Sequence, residues 1–424
     1  LLLWSEARAE IGLWRSQIQG AAALDHKVDR RLQSILAIPG AAMADFTFYE
    51  FFAGGGMARA GLGARWSCAF SNDFDAAKGA AYAANWGADS LRIGDIHALA
   101  ASDLPGSVDL AWASFPCQDL SLAGAKAGLS GPRSGAFWAF RNLIAALAEE
   151  GRAPAILALE NVVGALTSRG GQDFAALCES LHGIGYRVGA MMIDAASFTP
   201  QSRPRLFVVA MRRDLPLPTG LVSRQPELAY APPAMLRARA LLQAETARDW
   251  VWWAPPAPPV RNSGLIDVVE ADPADVDWHT AEQTQRLLDL MSEANLAKVR
   301  AAQALGSLQV GALYRRTRAG QNGAKVQRAE VRFDGLAGCL RTPGGGSSRQ
   351  FLIFVEGDRI RSRLLSGREA ARLMGLPDEY RLPARYTDAY HLLGDGVAPP
   401  VVRHLAQHLF EPLLKRAARR GAAA

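Results

Sequence analysis

The sequence predicts an α/β fold: a parallel sheet with helices on both faces, joined to a smaller β-containing region. Three observations carry this. Short β-prone runs alternate with Ala-rich helical stretches through the first half of the chain. A glycine cluster, Gly54-Gly55-Gly56, joins the first strong strand to a helix. Chemically distinctive residues fall where strands end, which is where sheets of this kind bind ligands.

Taken in order, Phe46–Phe52 is the first strand and meets the glycines. Ser67–Ser71 is the second and ends at Asn72-Asp73, with a helix expected from about Ala76 to Asn85. Val108–Ala113 is a strand ending near Pro116, and Ala155–Leu159 is a buried strand ending at Glu160. Tyr186–Ile193 and Leu206–Met211 are further strands. After Arg213 prolines interrupt any long periodic element, notably in Pro255-Pro-Ala-Pro-Pro259. Trp250, Trp252 and Trp253 beside them read as core or docking aromatics. A helical segment over about 280–302 precedes a basic, β-like stretch from Tyr314 to Arg349. We therefore divide the chain into a non-catalytic helical extension at 1–42, a catalytic domain at 43–213, a second domain at 214–383, and a return to the first domain at 384–424.

The chain has 424 residues, enough for two domains, and a formal net charge of +6. A basic balance is compatible with a polyanionic partner. The four cysteines, Cys68, Cys117, Cys178 and Cys339, have no paired spacing, which argues against a disulfide framework or a zinc site. The histidines show no metal-ligand spacing, so no metal is expected. A reducing, cytoplasmic location is the default. No apolar run approaches the ~18 residues of a membrane span.

Glycines at a strand-to-helix turn let the backbone approach a ligand closely, and the helix start offers free amides to an anion. Asp73 lies about twenty residues on, where this fold sets an acid against ribose hydroxyls. Asp95, in Gly94-Asp95-Ile96, is placed to accept from an adenine amino group. Each Asp also reads as a helix cap. The turn lacks the Lys-Ser/Thr of a phosphate loop and the full Gly-x-Gly-x-x-Gly pattern. An adenosine-containing cofactor without a pyrophosphate fits it better.

Cys117, in Phe115-Pro116-Cys117-Gln118, sits at a strand end, where neighbouring amides or a base favour the thiolate. Glu160, in Glu160-Asn161-Val162, ends an otherwise apolar strand and reads as a proton donor or as a capping or salt-bridged Glu. Arg203 and Arg205, in Gln201-Ser202-Arg203-Pro204-Arg205, stand at i and i+2 and so point the same way on an extended segment. They suit an anion or a pyrimidine oxygen, or simply a surface arginine pair. The Gly- and Ser-rich segment over about 118–135 reads either as a lid or as an ordinary loop.

These elements resemble the cytosine-5 DNA methyltransferase family of restriction-modification type. The matching motifs are Phe-Ala-Gly-Gly-Gly, Phe-Pro-Cys-Gln, Glu-Asn-Val and Gln-Ser-Arg-Pro-Arg, in family order. Arg363-Leu-Leu-Ser-Gly-Arg368-Glu369-Ala-Ala-Arg372-Leu-Met-Gly375 and Gly394-Asp395-Gly396-Val397 are similar to its late motifs. The resemblance covers residues 46 to 411. It implies a Rossmann-like catalytic domain, S-adenosyl-L-methionine as methyl donor, and a smaller target-recognition domain. By position, Cys117 resembles the nucleophile that adds to carbon 6 of cytosine. Glu160 would then act at the ring nitrogen and Arg205 at the ring oxygen, with Arg203 in support. Phe52, Gly54, Gly55, Asp73, Phe74, Asp95, Ile96, Pro116 and Val397 resemble cofactor-pocket positions. The target cytosine must be flipped out of the duplex, and closure of 118–135 would complete the site. Met57 stands where the family often has Gly, and Asp395 where Asn is usual.

Tyr314 to Arg349 holds eight Lys/Arg against two acidic residues. Arg315, Arg316, Arg318, Lys325, Arg328 and Arg349 are the candidate DNA contacts, with 344–348 as a flexible Gly/Ser loop. The resemblance implies double-stranded DNA as partner, a cognate restriction endonuclease acting on the same site, and a monomer. Two other readings stand beside it: a DNA-binding protein on a decayed scaffold, against which the intact Cys117, Glu160 and Arg205 argue, and an RNA cytosine methyltransferase.

Overall fold

The computed structural model describes residues 44–116, 135–319, 324–342 and 349–415. Cys117, the expected lid, the 1–42 extension and the 344–348 loop lie outside the described residues. The described chain forms two units: one of 42–198, 203–260 and 395–424, and one of 199–202 and 261–394.

The first unit is built on a seven-stranded sheet. Its elements begin β1 (Phe46–Phe51), α1 (Met57–Leu62), β2 (Trp66–Asp73), α2 (Ala76–Trp86), β3 (Leu91–Ile93) and β4 (Leu110–Ala113). They continue with α3 (Gly135–Glu149), β5 (Ile156–Val162), α4 (Gln172–Gly183), β6 (Tyr186–Asp194) and β7 (Pro204–Arg212). The strand order is β3-β2-β1-β4-β5-β7-β6. The strands from β3 to β5 are parallel, but β7 is antiparallel to both its neighbours. This corrects an all-parallel reading of the last two strands. The link over 195–203 is too short for the crossover of about a dozen residues that parallel neighbours require. Because β7 runs backwards, its first residues lie at the sheet edge where β1, β2, β4 and β5 end.

Helices α3 and α4 cover one face. Phe137, Phe140 and Ile144 of α3 and Phe174, Leu177 and Leu181 of α4 pack with Phe51, Ala113, Leu159 and Val208 in one core. These strands are apolar through nearly their whole length, as a sheet covered on both faces requires.

The first unit extends to residue 260, so 214–260, expected in the second domain, clusters with the sheet instead. Its elements are β8 (Val222–Ser223), α5 (Pro233–Arg239), α6 (Ala244–Arg248) and β9 (Trp252–Trp253). Trp253 is the physical reason. Its ring N–H donates to the Val209 carbonyl of β7 at 3.0 Å, and the indole sits against the side-chain-free Gly189. Trp250 and Trp253 are buried core aromatics.

The second unit holds α7 (Ala281–Asp289), α8 (Glu293–Ala304), β10 (Gln309–Ala319), β11 (Lys325–Arg332), β12 (Gln350–Glu356), β13 (Arg359–Leu364), α9 (Gly367–Met374) and α10 (Tyr386–Asp395), whose last residue opens the return to the first unit. Its antiparallel sheet has the order β11-β10-β12-β13. Leu287 of α7, Val299 of α8 and Met291 between the two helices pack on Leu313, Phe351, Ile353 and Val355. Arg363 and Glu369, both fully buried, pair at 2.6 Å. Glu369 also accepts the Ser366 and Glu270 backbone N–H groups at 2.8 and 2.7 Å, so the buried charges are hydrogen-bonded as well as paired. After Asp395 the chain forms α11 (Pro399–Leu405) in the first unit.

Candidate active site

At the end of β1 the backbone leaves extended geometry abruptly. Phe52 has φ 57 and Gly54 φ 54. A left-handed phenylalanine is a strained conformation worth about 1–3 kcal/mol, held only where its surroundings over-determine it. A side chain at Gly54 would meet nothing within 4 Å among the described residues, so on that side this turn is open. Gly56 is different: a Cβ there would lie 2.3 Å from Trp86 Nε1. That indole N–H donates to the Gly55 carbonyl at 3.0 Å and fixes the turn from behind.

Asp73, at the end of β2, is buried and accepts the Gly54 N–H at 2.7 Å and the Asp75 N–H at 2.8 Å. Burial raises its carboxyl above the usual range, against those two hydrogen bonds. Its first task is therefore to hold the glycine turn. Phe74 follows and is 76% exposed. Asp95 is exposed and caps a short helical turn through the His97 N–H at 2.9 Å, while Ile96 is buried. Beyond β4, Phe115 is buried and Pro116 exposed. Val397 is buried. An open glycine turn flanked by an exposed aromatic ring and carboxylates at adjacent strand ends fits an adenosine-bearing ligand. A purine has a face to stack and a ribose has hydroxyls to donate.

The other half of the site lies across β5 and β7. Val162 pairs with Arg205 and Glu160 with Phe207, so Glu160 and Arg205 are diagonal neighbours on one sheet face. Glu160 Oε1 lies 3.0 Å from Arg205 Nε, and both side chains are largely buried. A carboxyl and a guanidinium side by side and largely buried can address two atoms of one polar ring. Arg203 does something else. It is 1% exposed and precedes the strand. Its N–H donates to Asp194 Oδ1 at 2.6 Å, and its guanidinium donates to the Gly396 carbonyl at 2.5 Å. The two arginines thus have different partners.

Three residues escaped the sequence reading. Glu50 lies fully buried on β1 behind the turn. One oxygen accepts the Arg59 N–H at 3.2 Å, the other has no partner among the described residues, and burial pushes the carboxyl up to about 8. An acid inside the aromatic run Phe46–Phe52 was the available signal. Asn161 donates to the Phe115 carbonyl at 3.3 Å, tying the end of β5 to the residue before Pro116. Lys78, on α2, pairs with Asp395 at 2.7 Å; only the family's usual Asn at that position pointed to anything unusual there.

In the second unit the basic residues divide into two groups. Arg316, Lys325 and Arg328 are exposed on the hairpin of β10 and the edge strand β11, with Arg316 directly opposite Arg328. The Arg318 backbone lies in the same strand pair, opposite Val326. Arg315 is half-buried, its guanidinium 5.4 Å from the Phe351 ring centre. Arg349 stacks on Tyr386 and donates to Thr387 Oγ1 at 2.9 Å.

Among the described residues no group of His, Cys, Asp and Glu could hold a metal ion, and no helix is long and apolar enough to cross a membrane. A family model described as C-5 cytosine-specific DNA methylase matches residues 46–411. The chain is 26% identical over 375 residues to the type II methyltransferase M.BsuFI of Bacillus subtilis, covering 87% of this chain and 73% of that protein. It is 24% identical over 368 residues to the type II methyltransferase M.MspI of a Moraxella species, covering 86% and 71%. A solved structure of DNMT2 from Spodoptera frugiperda shares the fold with a TM-score of 0.53 at 16% identity, covering 85% of this chain and 98% of that one.

Proposed function

The chain belongs to the C-5 cytosine-specific DNA methylase family, and from that premise we propose that it methylates carbon 5 of a flipped-out cytosine in a specific double-stranded sequence through a covalent Cys117 adduct. The observation that carries the reading is the Glu160–Arg205 pair at 3.0 Å, at the same sheet edge as the glycine turn.

The Phe52–Gly56 turn, Asp73, Phe74, Asp95, Ile96, Pro116 and Val397 would hold S-adenosyl-L-methionine. When bound, this cofactor supplies an electrophilic methyl group on a sulfonium. Cys117, next after Pro116, adds as thiolate to carbon 6 of the cytosine. Glu160 gives a proton to ring nitrogen 3, and Arg205 hydrogen-bonds the ring oxygen. Electron density then moves to carbon 5, which takes the methyl. A water molecule takes the carbon 5 proton; the double bond re-forms, Cys117 leaves as thiolate, and ring nitrogen 3 returns its proton to Glu160. The ring must leave the base stack because neither Glu160 nor Cys117 could reach it inside a duplex. The exposed Arg316, Lys325 and Arg328, together with Arg318, would meet phosphates and base edges; Arg315 and Arg349 would serve mainly to hold that surface. The protein acts as a monomer in the cytoplasm, as the modification partner of an endonuclease that cuts the same sequence.

The test uses labelled S-adenosyl-L-methionine with cytosine-containing duplex DNA. Wild-type protein transfers label, and Cys117→Ser transfers none while still binding DNA. Label transfer by Cys117→Ser sinks the adduct. A duplex carrying 5-fluorocytosine, which has no carbon 5 proton to lose, should trap protein and DNA covalently. Bisulfite sequencing of DNA from an expressing host identifies the target sequence.

A further inference from the structure

We infer that Arg203 is a positioning residue for the loop Asp395–Val397, acting with Lys78 as a two-sided clasp, and does not contact the base; the inference rests on the cofactor reading above. Three observations carry it. Arg203 is 1% exposed, and its guanidinium donates to the Gly396 carbonyl at 2.5 Å. On the other side of the loop, Lys78 Nζ meets Asp395 Oδ2 at 2.7 Å. Immediately after these two anchored residues comes Val397, which is 4% exposed.

The anchors come from opposite halves of the site. Lys78 lies on α2, five residues beyond Asp73, whose carboxyl holds Gly54. Arg203 stands two residues before Arg205, which meets Glu160. Three consecutive residues are thus tied to the cofactor side by an ion pair and to the base side by a charged hydrogen bond. Nη2 of the guanidinium is given to a backbone carbonyl, and turning it toward a ligand would take a buried charge away from that partner. Asp395 in place of the usual Asn has a reason in the same geometry: a carboxylate meets the Lys78 ammonium with an opposite charge, where an amide oxygen would accept the hydrogen bond without one.

A base contact and a loop anchor make different predictions for the protein without DNA. Arg203 as a base contact would matter only once DNA is bound. As an anchor it shapes the cofactor pocket at all times. The experiment is calorimetric titration of the full chain with S-adenosyl-L-methionine in the absence of DNA. Arg203→Lys, which shortens the reach and loses the planar fork, should weaken binding about tenfold, while Arg205→Lys stays within about twofold. A folded Arg203→Lys protein that binds within twofold of wild type overturns the inference. If that variant does not fold, Lys78 decides. Lys78→Met should weaken binding about fivefold, and the exchanged pair Lys78→Asp with Asp395→Lys should restore part of the loss; Lys78→Met binding within twofold of wild type overturns the inference. Wild-type protein that binds no S-adenosyl-L-methionine would instead refute the cofactor reading itself.

Discussion

Glu160 Oε1 and Arg205 Nε lie 3.0 Å apart across adjacent antiparallel strands. The contact exists because β7 reverses direction and starts where β5 ends. A carboxyl and a guanidinium are thereby set side by side on rigid elements, with no loop needed to bring them together.

Glu160→Gln keeps the shape of the pair and removes the transferable proton. Single-turnover methylation with labelled cofactor should slow by about 10²–10⁴-fold, the usual worth of a positioned acid. Cofactor binding to the free protein should be little changed. A rate within about threefold of wild type would exclude Glu160 as the proton donor.

The glycine turn makes a graded prediction. At Gly54 the strain is in the backbone alone, since an added Cβ meets nothing among the described residues. Gly54→Ala should therefore lower unfolding stability by about 1–2 kcal/mol. At Gly56 the same positive φ is joined by a Cβ 2.3 Å from Trp86 Nε1. Gly56→Ala must also displace the indole that holds Gly55, and should cost more. Urea titrations of the two variants rank them; an equal or reversed order contradicts the geometry.

The α/β alternation and the polar strand ends were readable because apolar runs bounded by polar residues mark buried strands whatever their partners. That is why Asp73, Glu160 and the glycine turn were legible. The direction of β7 was not, although the short 195–203 link contains it. The placement of 214–260 depended on Trp253 finding the Val209 carbonyl, a contact with no local signature. The place of Arg203 was not legible either, for a related reason. Its partner Gly396 is 193 positions away, and the residue itself sits just before the extended strand.

Glu50 makes stability depend on pH. Burial raises its carboxyl from an ordinary 4.5 to about 8, against hydrogen bonds from the Arg59 and Ala58 backbone. The groups facing it are Arg59 from α1, Asp73 and Cys68 from β2, and Tyr82 from α2. Between those two values the folded chain keeps a proton that the unfolded chain has released. The stability linked to Glu50 is therefore fully present below 4.5 and is lost as pH rises through about 8. Glu50→Gln removes this slope. Unfolding measured near about pH 5 and about pH 9 should show the variant gaining up to a few kcal/mol on wild type at the higher pH. A parallel pH dependence in the two proteins would show that Glu50 is not the group responsible.

The basic surface should divide by partner, not by charge. Lys325 and Arg328 are exposed on an edge strand, and a charge so placed meets phosphate only by releasing counterions. Replacing both with Ala should reduce the slope of log K against log salt by about 1.8, which is about 0.9 for each phosphate that is no longer neutralised. Arg315 carries the same charge on the neighbouring strand, but its guanidinium lies over Phe351 and beside His279, whose imidazole is held below its usual range by burial and by Arg315. Arg315→Ala strips packing from that ring. It should lower thermal stability and leave the salt slope within about 0.3 of wild type. DNA-binding isotherms at several salt concentrations, with thermal melts of the same proteins, separate the two effects. A salt slope that falls by about 0.9 in Arg315→Ala would move Arg315 onto the phosphate-binding surface.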